Sequence, residues 1–169
     1  MITTAVNNPV LHKLNSSIGF VALSFFLFAP TPASADPVVA KLHNGISISA
    51  NFHKGTPSLP AVLILHGFLQ TYHSLPMSPL AGNLASRGFT VLSPTLSLGV
   101  NRRSQSMACE AAHVHTVKED LAEIAYWMNW LGSRGYKNIV TIGFSSTGNI
   151  ETLLYNAQKT LTKKKKSIL

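Results

Sequence analysis

The stretch from Asn138 to Asn149, Asn-Ile-Val-Thr-Ile-Gly-Phe-Ser-Ser-Thr-Gly-Asn, restricts the fold more than any other part of the sequence. Ile139, Val140, Thr141 and Ile142 form a short β-branched run, the composition of a buried strand. Gly143 breaks the run, and a turn of small polar residues follows. Beyond it, Ile150, Leu153, Leu154 and Ala157 share one helical face. The segment therefore predicts a strand, a sharp turn and a helix, with serines at the turn. In that arrangement a serine oxygen stands clear of the sheet, above the N-terminus of the next helix. A backbone N–H and the positive helix end can there receive a developing oxyanion. The same residues also suit an ordinary strand-to-helix turn whose serines cap the helix.

The preceding residues supply the sheet. Val38 to Leu42 reads as a short strand, and Asn44-Gly45 as a hairpin turn. Ile46, Ile48 and Ala50 then alternate with polar residues, the period of a half-buried strand. Ala61 to Leu65 is a continuous apolar run that fits a central parallel strand, and it ends at His66-Gly67-Phe68. Pro79 to Arg87 predicts a helix with Gly88 as its cap. Phe89 to Leu92 predicts a strand ended by Ser93-Pro94. Leu96 to Ala112 has no period and is expected to be a loop over the carboxyl ends of the strands, with Arg102 and Arg103 in solvent. Thr116-Val117-Lys118-Glu119 is a capping box. The helix it opens has an apolar stripe of Leu121, Ile124, Ala125, Met128 and Leu131, with Trp127 and Trp130 packing on the sheet. Glu119, Asp120 and Glu123 are expected on its solvated face. Strands alternating with helices imply parallel pairing and right-handed crossovers. The fold class is α/β, a mostly parallel sheet with an amino-terminal antiparallel hairpin.

Two turns carry a resemblance to the α/β-hydrolases, extending over roughly Val38 to Gln158. Gly143-Phe144-Ser145 resembles the first half of that family's Gly-x-Ser-x-Gly nucleophile elbow. Thr147 stands where the second glycine belongs, and Gly148 comes one position late. Ser146-Thr147-Gly148 fits the second half instead, with Phe144 in place of the first glycine. Ser145 is favoured because Ile142-Gly143 ends the strand directly before it. His66-Gly67-Phe68 resembles the His-Gly-x turn that follows the third strand in the family. The resemblance implies a partial α/β-hydrolase fold with Ser145 as nucleophile. It implies oxyanion N–H donors at Phe68 and Ser146, a close backbone approach at Gly67 and a loop oriented by His66. The implied activity is serine hydrolysis of an ester or other acyl bond of a small molecule.

The family's triad runs serine, then acid, then histidine. No histidine follows Ser145, and Glu151, on the elbow helix, is the only acid beyond it. A serine hydroxyl needs a base to become a useful nucleophile. The block Lys163 to Lys166 has no apolar face. Together these predict a truncated, inactive hydrolase, with recruitment of His113 or His115 as the unusual alternative. Two further alternatives are a non-catalytic binding module on a hydrolase-like fold and a truncated chain without function. A truncated sheet would expose an edge strand and invite self-association.

The amino terminus reads as a signal peptide, with Lys13, an apolar run from Ile18 to Ala29, and Ala33-Ser34-Ala35. The apolar run is shorter than the roughly 20 residues that span a membrane. The expected organisation is a signal peptide over 1–35, a partial hydrolase domain over 36–160 and a disordered basic tail over 161–169. Cleavage would leave Asp36 first and an exported, periplasmic or secreted protein without a membrane association; an uncleaved anchor is the alternative. The formal charge of +8 is concentrated in the tail and leader, with no basic stripe, so no nucleic-acid partner is expected. Cys109 is the single cysteine and is expected to be buried as a small apolar residue. His113 and His115 lack an evident third ligand, and the sequence points to no metal and no cofactor.

Overall fold

The computed structural model describes residues 35–112, 114–145 and 154–156. The chain forms β1 (Asp36–Lys41), β2 (Ser47–His53), β3 (Ala61–Leu65), α1 (Met77–Ser86), β4 (Thr90–Thr95), α2 (Val117–Ser133) and β5 (Ile139–Gly143). Residues 154–156 are helical. The expected signal segment, Ser146, the start of the helix expected after it, His113 and the lysine block lie outside the described residues.

The strands make one sheet in the order β1-β2-β4-β3-β5. β1 pairs antiparallel with β2, and β2 antiparallel with β4. From there the sheet is parallel, β4 with β3 and β3 with β5. The antiparallel start therefore includes the β2–β4 seam as well as the hairpin. Asn44-Gly45 makes the hairpin turn, with Gly45 at φ +88, a conformation that glycine adopts without a Cβ clash.

The run Ala61–Leu65 is buried throughout because it is covered on both faces. Ala61, Leu63 and Leu65 join Ile48, Leu92, Ile124, Trp127 and Leu131 beneath α2. Val62 and Ile64 face the other way, onto Met77, Ala81 and Ala85 of α1. The two-residue alternation of a strand thus distributes one apolar run between two helix layers.

α2 begins where the capping box predicts. Thr116 Oγ1 accepts from the Glu119 N–H, and the Thr116 N–H donates to Glu119 Oε2 at 2.7 Å. Trp127 is fully buried and Trp130 packs against the same core.

Several local expectations are corrected. α1 starts earlier than Pro79, at Met77. Ser93-Pro94 does not end β4, which continues to Thr95. The register of β4 with β3 stops at Leu92, so Pro94 has only β2 beside it, and its missing N–H is tolerated as on an edge. Asp120 and Glu123 are not solvated but buried, and so is Arg103, whereas Arg102 is exposed. Cys109 is exposed rather than buried, on the irregular segment between β4 and α2.

Candidate active site

β3 and β5 run parallel and end together, Leu65 opposite Gly143. One further bond, Phe144 N–H to Leu65 O at 3.0 Å, carries the pairing to the last residue before Ser145. The two following turns are therefore side by side at the carboxyl edge of the sheet, where open α/β sheets place their ligands.

Ser145 has φ +66 and is exposed. A left-handed conformation costs a non-glycine residue on the order of 1–3 kcal/mol and persists only where surrounding structure imposes it. Here the bond from the Phe144 N–H to Leu65 O anchors the residue directly before it. Ser145 thus stands exposed in the turn that directly follows β5.

Gly67 lies against it. A Cβ built on Gly67 would fall 3.0 Å from the Ser145 Cβ and 2.9 Å from Gln70 Oε1. A side chain there would require Gln70 to swing away and Ser145 to yield by a few tenths of an ångström. The 67–70 turn closes through Gln70 N–H to Gly67 O at 3.1 Å, with Leu69 buried at φ +60. The Gly67 N–H donates to Gln70 Oε1 at 3.3 Å. Phe68, at the crest of this turn, is 44% exposed, with its ring 6.4 Å from that of His115.

His66 is buried beneath the turn. Its Nδ1–H donates to Gly67 O at 2.7 Å, and its Nε2 accepts the Leu96 N–H at 2.9 Å. One neutral tautomer satisfies both bonds. Burial drives its pKa down to about 4, so the ring stays neutral. A neutral His66 ties the turn after β3 to the turn after β4.

The loop after β4 adds more ties. Arg103 Nη1 donates to Leu96 O at 2.7 Å, and Nη2 to Gln70 O at 2.6 Å. Met107 N–H donates to Leu69 O at 2.9 Å. Both Glu123 oxygens accept the Ser97 N–H, at 3.2 and 3.0 Å. Burial raises the Glu123 pKa to about 7, against the opposing effect of the Ser97 bonds. Asp120 is also raised by burial, while His115, bonded to it at 2.8 Å through Nδ1, pulls it back.

Ser145, Gly67, Phe68 and His66 thus come to one corner of the fold. His115, bonded to Asp120, lies beside Phe68. Ser146 lies outside the described residues. Arg103, Gln70, Asp120 and Glu123 are the components that the sequence reading missed. Among the described residues no three His, Cys, Asp or Glu side chains gather as a metal site. A cleft of about 760 Å³ between the β1–β2 turn and α2, bordered by His43, Ser97 and Tyr126, shares no residue with the Gly67–Ser145 corner.

No protein-family model matches the chain, and neither does any curated protein sequence. Solved structures do match. An α/β hydrolase from Novosphingobium aromaticivorans superposes with a TM-score of 0.57 at 23% identity, over 75% of this chain and 40% of that protein. An esterase from Pyrococcus furiosus gives 0.56 at 18% identity, over 72% and 45%. The fold is a partial α/β-hydrolase fold. Est1E from Butyrivibrio proteoclasticus agrees, with 0.56 at 17% identity over 75% and 46%. The chain therefore spans less than half the length of the α/β-hydrolase structures it resembles. Within the α/β-hydrolase frame, the turn after β3 and the turn after β5 are the two that meet at Ser145.

Proposed function

We propose that this chain carries the nucleophile and the oxyanion loop of an exported serine hydrolase that acts on esters or related acyl bonds. The observation that supports the reading best is the left-handed Ser145, exposed at the end of a parallel strand and pressed against Gly67. A reactive serine needs that exposure, and an oxyanion needs main-chain donors at fixed distance from it. In this reading Ser145 Oγ attacks the acyl carbon. The carbonyl oxygen, now negative, is received by the N–H groups of Phe68 and Ser146. Gly67 leaves room for the substrate, and His66 holds the loop from below.

No histidine of these 169 residues follows Ser145, so a proton acceptor comes from an earlier residue or from outside these residues. The likeness to solved structures concerns the fold, and the reaction rests on the Ser145 corner alone. Export is proposed from the basic, apolar and small-residue order of the leader. β1 begins at Asp36, the first residue after the proposed cleavage point.

The test supplies the base from solution. The chain is incubated with p-nitrophenyl acetate and imidazole, and acetylation is mapped by mass spectrometry. The expected result is stoichiometric acetylation of Ser145 that imidazole accelerates and that Ser145→Ala removes. Acetyl groups on surface lysines only, with Ser145 unmodified, would overturn the proposal.

A further inference from the structure

We infer that Arg103 is a positioning residue for the oxyanion loop, acting through Gln70. The inference rests on the serine-hydrolase reading of the Ser145 corner and deepens it.

Arg103 is 5% exposed, on a loop between β4 and α2. Removing a guanidinium from water is costly, and burial lowers its pKa accordingly. Glu123 acts on it only as a nearby charge that offsets part of that shift. Its two bonds go to main-chain carbonyls, Leu96 O and Gln70 O. Its Nε has no partner among the described residues. A guanidinium spent in this way holds two loops at one spacing, because its planar fork presents its donors in fixed directions. One loop leaves β4 and the other leaves β3.

Gln70 passes that constraint on. Its carbonyl accepts from Arg103, its N–H donates to Gly67 O, and its side-chain Oε1 accepts the Gly67 N–H. That same Oε1 and the Ser145 Cβ each lie within 3.0 Å of the point where a Gly67 Cβ would stand. A shift of Gln70 therefore moves the Gly67–Phe68 backbone relative to Ser145. Oxyanion donors lose their effect when displaced by about 1 Å, so the tie sets reactivity as well as stability. The hydrogen bonds of Arg103 go to Leu96 O and Gln70 O and not to Ser145.

The test compares the full chain with Arg103→Met, Arg103→Lys and Gln70→Ala. Saturation kinetics of Ser145 acetylation by p-nitrophenyl acetate are followed in the presence of imidazole, below the melting temperature of each variant. For Arg103→Met and Gln70→Ala the rate constant should fall about tenfold or more, with the half-saturating ester concentration unchanged. Arg103→Lys, which keeps one charged donor, should recover part of the loss. A purely structural Arg103 would lower the melting temperature and leave the rate constant of the folded protein alone. Should Arg103→Met fail to fold, Gln70→Ala and Arg103→Lys decide. Parental rate constants in the variants that fold would overturn the inference while leaving Ser145 as nucleophile. A parent chain that does not acetylate at Ser145 would overturn the hydrolase reading and this inference with it.

Discussion

Gly67 and Ser145 meet so closely that a Cβ on Gly67 would lie 3.0 Å from the Ser145 Cβ, tighter than an ordinary van der Waals contact. Gln70 Oε1, on the other side, can swing away, but the Ser145 Cβ is fixed by the backbone that β5 places. Gly67→Ala should therefore destabilise the fold by about 1–3 kcal/mol, the usual cost of overpacking a close contact. It should also suppress acetylation of Ser145 in the folded protein, because the turn must retreat from the serine. Thermal melting and mass mapping check the two effects separately. An alanine variant with parental stability and reactivity would show that the approach is looser than described.

The conformation of Ser145 gives a second prediction. At φ +66 alanine bears the same strain as serine, whereas glycine does not. Ser145→Gly should therefore be more stable than Ser145→Ala by about 1 kcal/mol, and both should be unreactive. Chemical denaturation of the pair measures the difference. Equal stability, or a more stable alanine variant, would mean that the turn holds no strain. The comparison with alanine matters because both variants lose the hydroxyl.

How legible this corner was in the sequence depends on the range of the interactions. The capping box at Thr116 and the apolar run Ala61–Leu65 were readable because their partners are neighbours or their burial is two-sided. The strand before Ser145 was readable from its β-branched run. Glu123 and Arg103 were not. A carboxylate on a polar helix stretch and an arginine in an aperiodic loop usually face water. Here Ser97, the partner of Glu123, and Gln70, a partner of Arg103, come from segments that only the sheet topology brings near, while Leu96 lies on the same loop as Arg103. Pro94 misled for a related reason: whether a proline ends a strand depends on which neighbours the strand has at that position.

The buried ionisable groups predict an unusual pH response. Glu123 has its pKa raised from the usual 4.5 to about 7, so its stabilising contribution is full below pH 4.5 and is lost as pH rises toward 7. His66 is lowered from 6.5 to about 4, so its contribution is full above pH 6.5 and is lost as pH falls toward 4. The two slopes oppose each other between about pH 4.5 and 6.5, each worth on the order of 3 kcal/mol across its range. Asp120, raised as well, adds to the Glu123 side. The parent should show little pH dependence in this window. Glu123→Gln should expose the His66 slope, with stability rising from pH 4.5 to 6.5. Denaturation midpoints across that range check the sign, and a Glu123→Gln protein that loses stability with rising pH would contradict the assignment.

Export has its own test. The leader places Ala-x-Ala at Ala33 to Ala35, and the first strand starts immediately afterwards at Asp36. Mass spectrometry of the exported protein should find a chain beginning at Asp36. Recovery of intact Met1 in the membrane fraction would replace cleavage with an anchored chain.

Turnover is the most demanding prediction. A serine hydroxyl attacks an ester slowly unless a base removes its proton, and a second proton transfer must release the acyl group. Losing a triad member in serine hydrolases leaves only the rate that binding and the oxyanion hole sustain, a loss on the order of 10⁴–10⁶. The 169 residues place no histidine after Ser145, so the chain alone should show negligible steady-state hydrolysis of p-nitrophenyl esters and no labelling by a fluorophosphonate. Imidazole should restore the first acylation while deacylation lags, which gives a burst near one equivalent and little turnover. Ser145→Ala should remove the burst, and Ser146→Ala, which keeps its backbone N–H, should weaken it less. Rapid turnover without imidazole would require an upstream base. His115, held by Asp120 at 2.8 Å beside Phe68, would be the first histidine to replace, and His113 the second. Loss of that turnover in His115→Ala would transfer the base to the α2 side of the site and refute the dependence on an external one.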